Sequence, residues 1–207
     1  YPHLIMQFNI SPETFKPDYQ LWPHEEEMNR IQRLLSREKI TGAPANHSVC
    51  ASGFTFSNEF EGVIPRLMRR LYDERRAVKQ AGIAKQKRGE DGSLENLRQY
   101  VLKILLNSGY GAFVNKYFRW YDQRIGRSIT CSGQLIIQVA EREINQWMNK
   151  VMQTTDVDYI IAIDTDSNYV NCQPLVDKFF SGKSQEEVVD ILDQVAQDQI
   201  QKVLEKG

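Results

Sequence analysis

The chain has 207 residues, 41% of them hydrophobic and 26% charged, with a formal net charge of −1. This composition suits one large or two small packed domains and excludes wholesale disorder and fibrous repeats. The longest apolar run, Tyr159 to Ile163, is too short to span a membrane, and Cys50, Cys131 and Cys172 lie far apart without C-x-x-C spacing, which argues against a metal cage or disulfide framework and for a reducing cytoplasm.

In chain order, Tyr1-Pro2-His3 carries neither an initiator Met nor a signal-peptide pattern, as expected of a piece of a longer chain. Residues 1–12 read as extended, turning at Ser11-Pro12. A short helical pattern runs from Glu25 to Arg37, with Met28, Ile31, Leu34 and Leu35 on one side, and Thr41-Gly-Ala-Pro44 ends it. Residues 47–57 carry a hairpin signal around Gly53. Gly62 to Ala84 predicts a long helix with Val63, Leu67 and Leu71 at four-residue steps and Pro65 in its first turn. A polar turn, Arg88 to Ser93, joins it to a second helix that runs to about Ser108 or Asn115, giving an antiparallel helical hairpin. Ser128 to Val151 predicts an amphipathic helix. Asp158 to Ile163 reads as a buried strand, broken by Asp164-Thr165-Asp166, with extended chain resuming over Asn168 to Cys172. Helices over Leu175 to Phe180 and Gln185 to Leu204 close the chain.

Charge is sorted along this order. Nine basic residues against two acidic ones lie between Arg66 and Arg88, a local net of +7, while Ser184 to Gly207 nets −4. Such separation suits a protein that holds a polyanion on one side.

Four groups of residues could carry chemistry. On extended backbone, side chains two apart point the same way, so Asp164 and Asp166 would present two carboxylates together, a donor set for a hard cation such as Mg²⁺; a solvated hairpin turn is the plain alternative. An EF-hand is excluded, because Tyr169 stands where its Gly is needed and Leu175 where its Glu is needed. Lys103, Asn107 and Tyr110 share a helix face that offers a cation, an amide and an aromatic ring, and Gly109 and Gly111 would admit a close backbone; a plain amphipathic helix is the alternative. Arg75 and Lys79, one turn apart, could reach one anion, or form a solvated face. Lys116-Tyr-Phe-Arg-Trp-Tyr121 could line a nucleic-acid groove or supply core aromatics. His3, His24 and His47 share no ligand spacing, and Asn46-His47-Ser48 matches a glycosylation sequon by chance. There is no P-loop, dinucleotide fingerprint or nucleophile elbow.

Together these elements resemble a family B DNA polymerase. Tyr1-Pro2-His3 with Asn9-Ile-Ser-Pro-Glu-Thr14 resembles the end of that family's D-x-x-S-L-Y-P-S motif, Lys103 to Gly111 matches K-x-x-x-N-S-x-Y-G at every fixed position, and Asp164-Thr-Asp166-Ser167 matches Y-G-D-T-D-S. The Asn-Ile-Ser-Pro-Glu-Thr string and the Ser-Ile-Thr after Arg127 look most like replicative polymerases of large tailed bacteriophages. The resemblance implies template-directed DNA synthesis by two-metal catalysis, with deoxynucleoside triphosphates and primer-template DNA as partners, two Mg²⁺ ions as cofactor, a possible sliding clamp bound through other parts, and the cytoplasm of an infected bacterial host as location. It implies that Asp166, and less directly Asp164, bind the metals. Lys103, Arg75 and Lys79 would neutralise the triphosphate. Tyr1 would lie under the sugar and exclude a 2′-hydroxyl, with Asn107 supporting that pocket. Tyr110 and Gly111 would pack near the nascent base pair, and Thr165 near the primer end.

The sequence departs from the pattern in three places. Ala162-Ile163 replaces Tyr-Gly, His3 replaces Ser, and Tyr1 falls five positions after the family's first catalytic Asp, so the isolated chain is not expected to extend a primer. The expected fold is α+β and mostly helical: residues 1–60 as palm start and connecting segment, 61–115 as a fingers helical hairpin, and 116–207 as partial palm with a small antiparallel sheet carrying the Asp-Thr-Asp turn. A non-catalytic nucleic-acid-binding helical module is the alternative function.

Overall fold

The computed structural model describes residues 1–23 and 26–206; His24 and Glu25, named above, lie outside them. The chain divides into two units, Tyr1–Gly133 and Gln134–Gly207.

In the first unit the N-terminal segment is a short helix, α1 (Pro2–Gln7), rather than the extended chain expected. Pro2 in the first helical position has a pre-set φ and no N–H to orphan, and Leu4 and Ile5 gain burial from the helical spacing. Strand β1 (Phe15–Lys16), which the sequence does not announce, adds to the expected hairpin of β2 (His47–Val49) and β3 (Thr55–Ser57) in a small antiparallel sheet of order β1-β3-β2. Between them α2 (Glu27–Leu35) stops before the Thr41-Gly-Ala-Pro44 stretch, with Arg37 in the left-handed region at φ 56°.

The helical hairpin is present. Helix α3 (Val63–Lys87) and helix α4 (Ser93–Val114) pack side by side, closed by the ion pairs Lys85–Glu95 (2.7 Å) and Arg98–Glu74 (2.6 Å). Of the expected stripe only Leu71 packs against the core. Val63 and Leu67 are 52% and 45% exposed, and Pro65 and Met68 are buried instead. Glycines set the approach of the two helices: a Cβ on Gly82 would lie 3.1 Å from Glu95 Cβ, and one on Gly109 would strike the Met68 side chain. The core gathers Ile5, Ile10, Phe56, Met68, Leu106 and Phe113 with Ile125 and Ile129 of α5 (Gln123–Met152). Ser128 and Ser132 of α5 bind the β2–β3 loop, through Ser52 Oγ (3.0 Å) and the Ala51 N–H (3.2 Å). Phe113→Ala should cost about 3–5 kcal/mol in urea unfolding of the chain, because losing a fully buried ring leaves a cavity in the cluster it shares with Ile125 and Ile129.

The second unit holds the rest of α5, the antiparallel pair β4 (Ile160–Asp164) and β5 (Ser167–Val170), then α6 (Gln173–Phe179), α7 (Gln185–Val195), a π-helical turn over Ala196–Ile200, and α8 (Gln201–Lys206). A capping box between Ser184 and Glu187 starts α7. The core here is Ile144, Met148, Tyr159 and Leu175. Two asparagines of α5 fix the lead into β4. Asn145 donates to Asp158 (2.9 Å) and accepts from the Tyr159 N–H (2.8 Å); Asn149 donates to the Val157 carbonyl (2.7 Å) and accepts from the Val157 N–H (3.0 Å). Strand β4 is not buried as expected. Ile161 is 72% exposed and Ile163 40%, because among the described residues β4 pairs only with β5, and only its first residue reaches the core.

Candidate nucleotide and metal sites

The basic arm is the strongest electrostatic feature of the first unit. Three of its cations are spent on nearby acids, Arg69 on Glu61, Lys85 on Glu95 and Arg88 on Glu90. Among the described residues Arg75, Arg76 and Lys79 have no such partner. Their three-, four- and seven-residue steps from Tyr72 put all four on one face of α3, where they line a pocket of about 160 Å³. Arg75 Nε is shut off from solvent with no hydrogen-bond partner. An enclosed guanidinium N–H without an acceptor is costly, and an anion in the pocket would relieve that cost.

On α4, Lys103 and Asn107 are exposed and Tyr110 is half-buried, the common face expected of them. The glycine contacts fix the antiparallel register, pairing 82 with 95 and 68 with 109, so Lys103 stands level with Glu74 and Arg75. Contrary to expectation, the glycines flanking Tyr110 meet no other backbone. Gly109 faces the Met68 side chain, and a Cβ on Gly111 would meet open space.

Tyr1 and Tyr110, far apart in sequence, are in contact, with ring centroids 4.8 Å apart. Gly133 of α5 makes room for them, since a Cβ there would approach the Tyr1 ring to 3.0 Å. His3 packs edge-on against Tyr72 at 4.7 Å, which ties α1 to the wall of the pocket that Tyr72 shares with Arg75, Arg76 and Lys79. Gly133 and His3 were not legible as parts of this region, because only tertiary packing brings them to it. The Lys116–Tyr121 stretch divides its roles: Phe118 packs on Phe113, while Tyr117 is 84% exposed with Lys116 over its ring, and Trp120 is half exposed beside Arg119.

In the second unit Asp164, Thr165 and Asp166 are all exposed. They do not continue a strand, so the alternation argument for their two carboxylates fails. Asp164 pairs with Ser167, and Thr165 and Asp166 form the two-residue connection. Thr165 is left-handed at φ 47°, and the Asp166 N–H donates back to the Asp164 carbonyl at 2.5 Å, a tight γ-turn contact. The Thr165 hydroxyl donates to Asp164 Oδ1 (3.1 Å) and the Ser167 hydroxyl to the Asp164 carbonyl (3.1 Å). The turn, rather than a pleat, holds both acids at the tip of the ribbon. The donor set is all oxygen, which fits a hard divalent cation. Among the described residues no group of three or more His, Cys, Asp or Glu is gathered, so Asp164 and Asp166 are the two carboxylates this turn offers to such a cation.

Thiol chemistry is disfavoured. Burial pushes the Cys50 thiol up to about 12 and the Cys131 thiol to about 11, so neither forms a thiolate near neutral pH. Among the described residues no helix is long and apolar enough to cross a membrane.

The family model for DNA polymerase family B matches residues 1–204. A DNA-directed DNA polymerase of Escherichia phage RB69 is 26% identical over 259 aligned positions, covering 100% of this chain and 28% of the relative. One of Enterobacteria phage T4 is 27% identical, covering 99% and 28%. The chain thus spans just over a quarter of the length of these relatives. The structure of the family B DNA polymerase from the archaeon Pyrobaculum calidifontis superposes on 96% of the chain and 21% of its own, with a TM-score of 0.56 at 23% identity, a likeness of fold.

Proposed function

The chain belongs to DNA polymerase family B, and from that premise we propose that it supplies the nucleotide-binding arm and part of the metal-binding palm of a template-directed DNA polymerase. The observation that carries this reading is the pocket of Tyr72, Arg75, Arg76 and Lys79, cations without acidic partners around an enclosed Arg75 Nε. A nucleoside triphosphate is the polyanion that suits it. In this reading residues 61–115 are the fingers, with 1–60 leading into them and 116–207 in the palm.

Arg75, Lys79 and Lys103 hold the triphosphate by charge. Tyr1, braced by Tyr110, lies under the sugar and selects against a 2′-hydroxyl, and Asn107 supports that pocket. Tyr110 and Gly111 border the nascent base pair, and Gly111 has the open space a template strand needs. Asp164 and Asp166 hold Mg²⁺, and Thr165 borders the primer end. When bound, the metal lowers the pKa of the primer 3′-hydroxyl and neutralises the leaving pyrophosphate. The chain's own part in the reaction is positioning and charge neutralisation. Exposed Tyr117 and Trp120, each beside a cation, suit stacking on primer-template DNA. A sliding clamp would bind elsewhere in the polymerase, and the setting is the cytoplasm of an infected bacterium.

Titration of Mg²⁺-dTTP into the purified chain tests the reading. Saturable binding, competed by pyrophosphate and at least about tenfold tighter than that of thymidine, is expected if charge carries the affinity. Equal affinity for thymidine and dTTP, or no binding of either beside strong single-strand DNA binding, would favour a non-catalytic nucleic-acid-binding module built on Tyr117 and Trp120.

A further inference from the structure

Helix α3 begins without a cap of its own: Gly62 is its N-cap residue and has no side chain to offer. A helix start leaves its first four N–H groups without intrahelical partners. Here the loop of residues 9–14 accepts from the first three, from about fifty positions away. Asn9 Oδ1 accepts from the Gly62 N–H (2.8 Å), Glu13 Oε1 from the Val63 N–H (2.5 Å), and Ser11 Oγ from the Ile64 N–H (3.3 Å). The fourth position is Pro65, which has no N–H.

The loop is itself held rigid. Asn9 is left-handed at φ 54° and donates its amide to the Ser57 and Phe60 carbonyls (2.7 and 2.8 Å). The Thr14 hydroxyl donates to the Asn9 carbonyl (2.6 Å), and the Ser11 hydroxyl to Glu13 (2.7 Å). Gly62 has to be glycine for this fit, since a Cβ there would lie 2.6 Å from Ser11 Cβ. Glu13 also meets the positive end of the α3 dipole. Burial alone would raise its pKa, yet hydrogen bonds from Val63 and Ser11 hold it below the ordinary carboxylate value.

We propose that Asn9, Ser11 and Glu13 form a cap supplied from a distance that sets the angle of α3, and that they act as positioning residues for the triphosphate-binding cations further along it. Arg75 lies twelve residues beyond Val63, a lever of about 18 Å at 1.5 Å per residue, so a 10° tilt at the cap moves Arg75 by about 3 Å. A shift of that size is enough to spoil a charge-assisted contact. The inference rests on the nucleotide reading above. The Val63 and Ser11 hydrogen bonds and the Arg66 charge favour ionised Glu13, so the charge-assisted part of its bond to Val63 is fully present above the usual carboxylate range and is lost as pH falls through the lowered value, leaving the neutral oxygen acceptor that Glu13→Gln also offers.

The test compares wild type, Glu13→Ala, Glu13→Gln and Ser11→Ala by Mg²⁺-dTTP titration, amide hydrogen exchange at residues 62–64, and thermal melting. Glu13→Ala and Ser11→Ala should speed exchange of the Val63 and Ile64 amides and weaken dTTP binding by about five- to tenfold, with melting still cooperative. Glu13→Gln keeps an oxygen acceptor and should restore dTTP affinity to within about twofold. Faster exchange with unchanged dTTP affinity in both alanine variants would overturn the positioning role and leave the cap as local stabilisation. If Glu13→Ala does not fold, Ser11→Ala alone decides between these outcomes. Failure of the wild type to bind dTTP would overturn the nucleotide reading first and this inference with it, and the wild-type arm separates the two failures.

Discussion

Replacing Asp166 with Asn is expected to slow Mg²⁺-dependent primer extension about a thousandfold, or about 4 kcal/mol of barrier, in a polypeptide that joins this chain to the regions its phage relatives carry beyond it. The size of the effect follows from the role proposed for the side chain. Asn keeps the shape and one oxygen but removes the charge that would hold a divalent cation. The fold should not change, because Asp166 is exposed and its recorded hydrogen bond in the turn uses the backbone N–H, which Asn retains. Binding of primer-template DNA measured without metal should therefore stay within about twofold, since backbone charge dominates that affinity. Asp158→Asn is the control from the same unit. Its carboxylate accepts from the Ile160 N–H and from Asn145, bonds that hold its pKa low. Losing its charge should lower stability and leave the extension rate per folded molecule unchanged. Equal rates for Asp166→Asn and wild type would remove the carboxylate from the chemistry.

The second large effect belongs to Lys103. Lys103→Ala should raise the KM for each deoxynucleoside triphosphate by about thirtyfold, while affinity for primer-template DNA stays within about twofold. Lys103 is exposed on α4 and has no ion-pair partner among the described residues, so its removal leaves no buried group unsatisfied. Lys103→Arg should recover only part of the loss, because a planar fork does not replace a compact ammonium at one phosphate oxygen. A fall in melting temperature with unchanged KM would make Lys103 a solvated surface residue.

Much of the fold was legible because its signals are local. Pro65 in the first turn and the polar Arg88–Ser93 segment marked out the hairpin of α3 and α4, and those helices formed within a few residues of the expected bounds. Helix α1 was missed because six residues are too few for a period to show, and its stability comes from burying Leu4 and Ile5. The run Tyr159–Ile163 promised burial by composition, but a strand with one partner leaves side chains on both faces in water. The Asp-Thr-Asp motif was recognised for its residues and misread for its geometry. What places the acids at the ribbon tip is a tight turn at Thr165, a backbone feature that an alternation rule does not contain. The cap from residues 9–14 lies furthest from sequence reading, because Gly62 announces a helix start and says nothing of which distant side chains complete it.

The central claim, that one face of the helical hairpin binds the triphosphate of a nucleotide, is tested most directly by titrating Mg²⁺-dTTP into the isotope-labelled chain and mapping amide and side-chain NMR shifts. The account predicts saturable shifts concentrated on Tyr72, Arg75, Lys79 and Lys103, with Asn107 and Tyr110 following, all reversed by excess pyrophosphate. Saturable shifts that leave these residues untouched, or none at millimolar nucleotide, would contradict it.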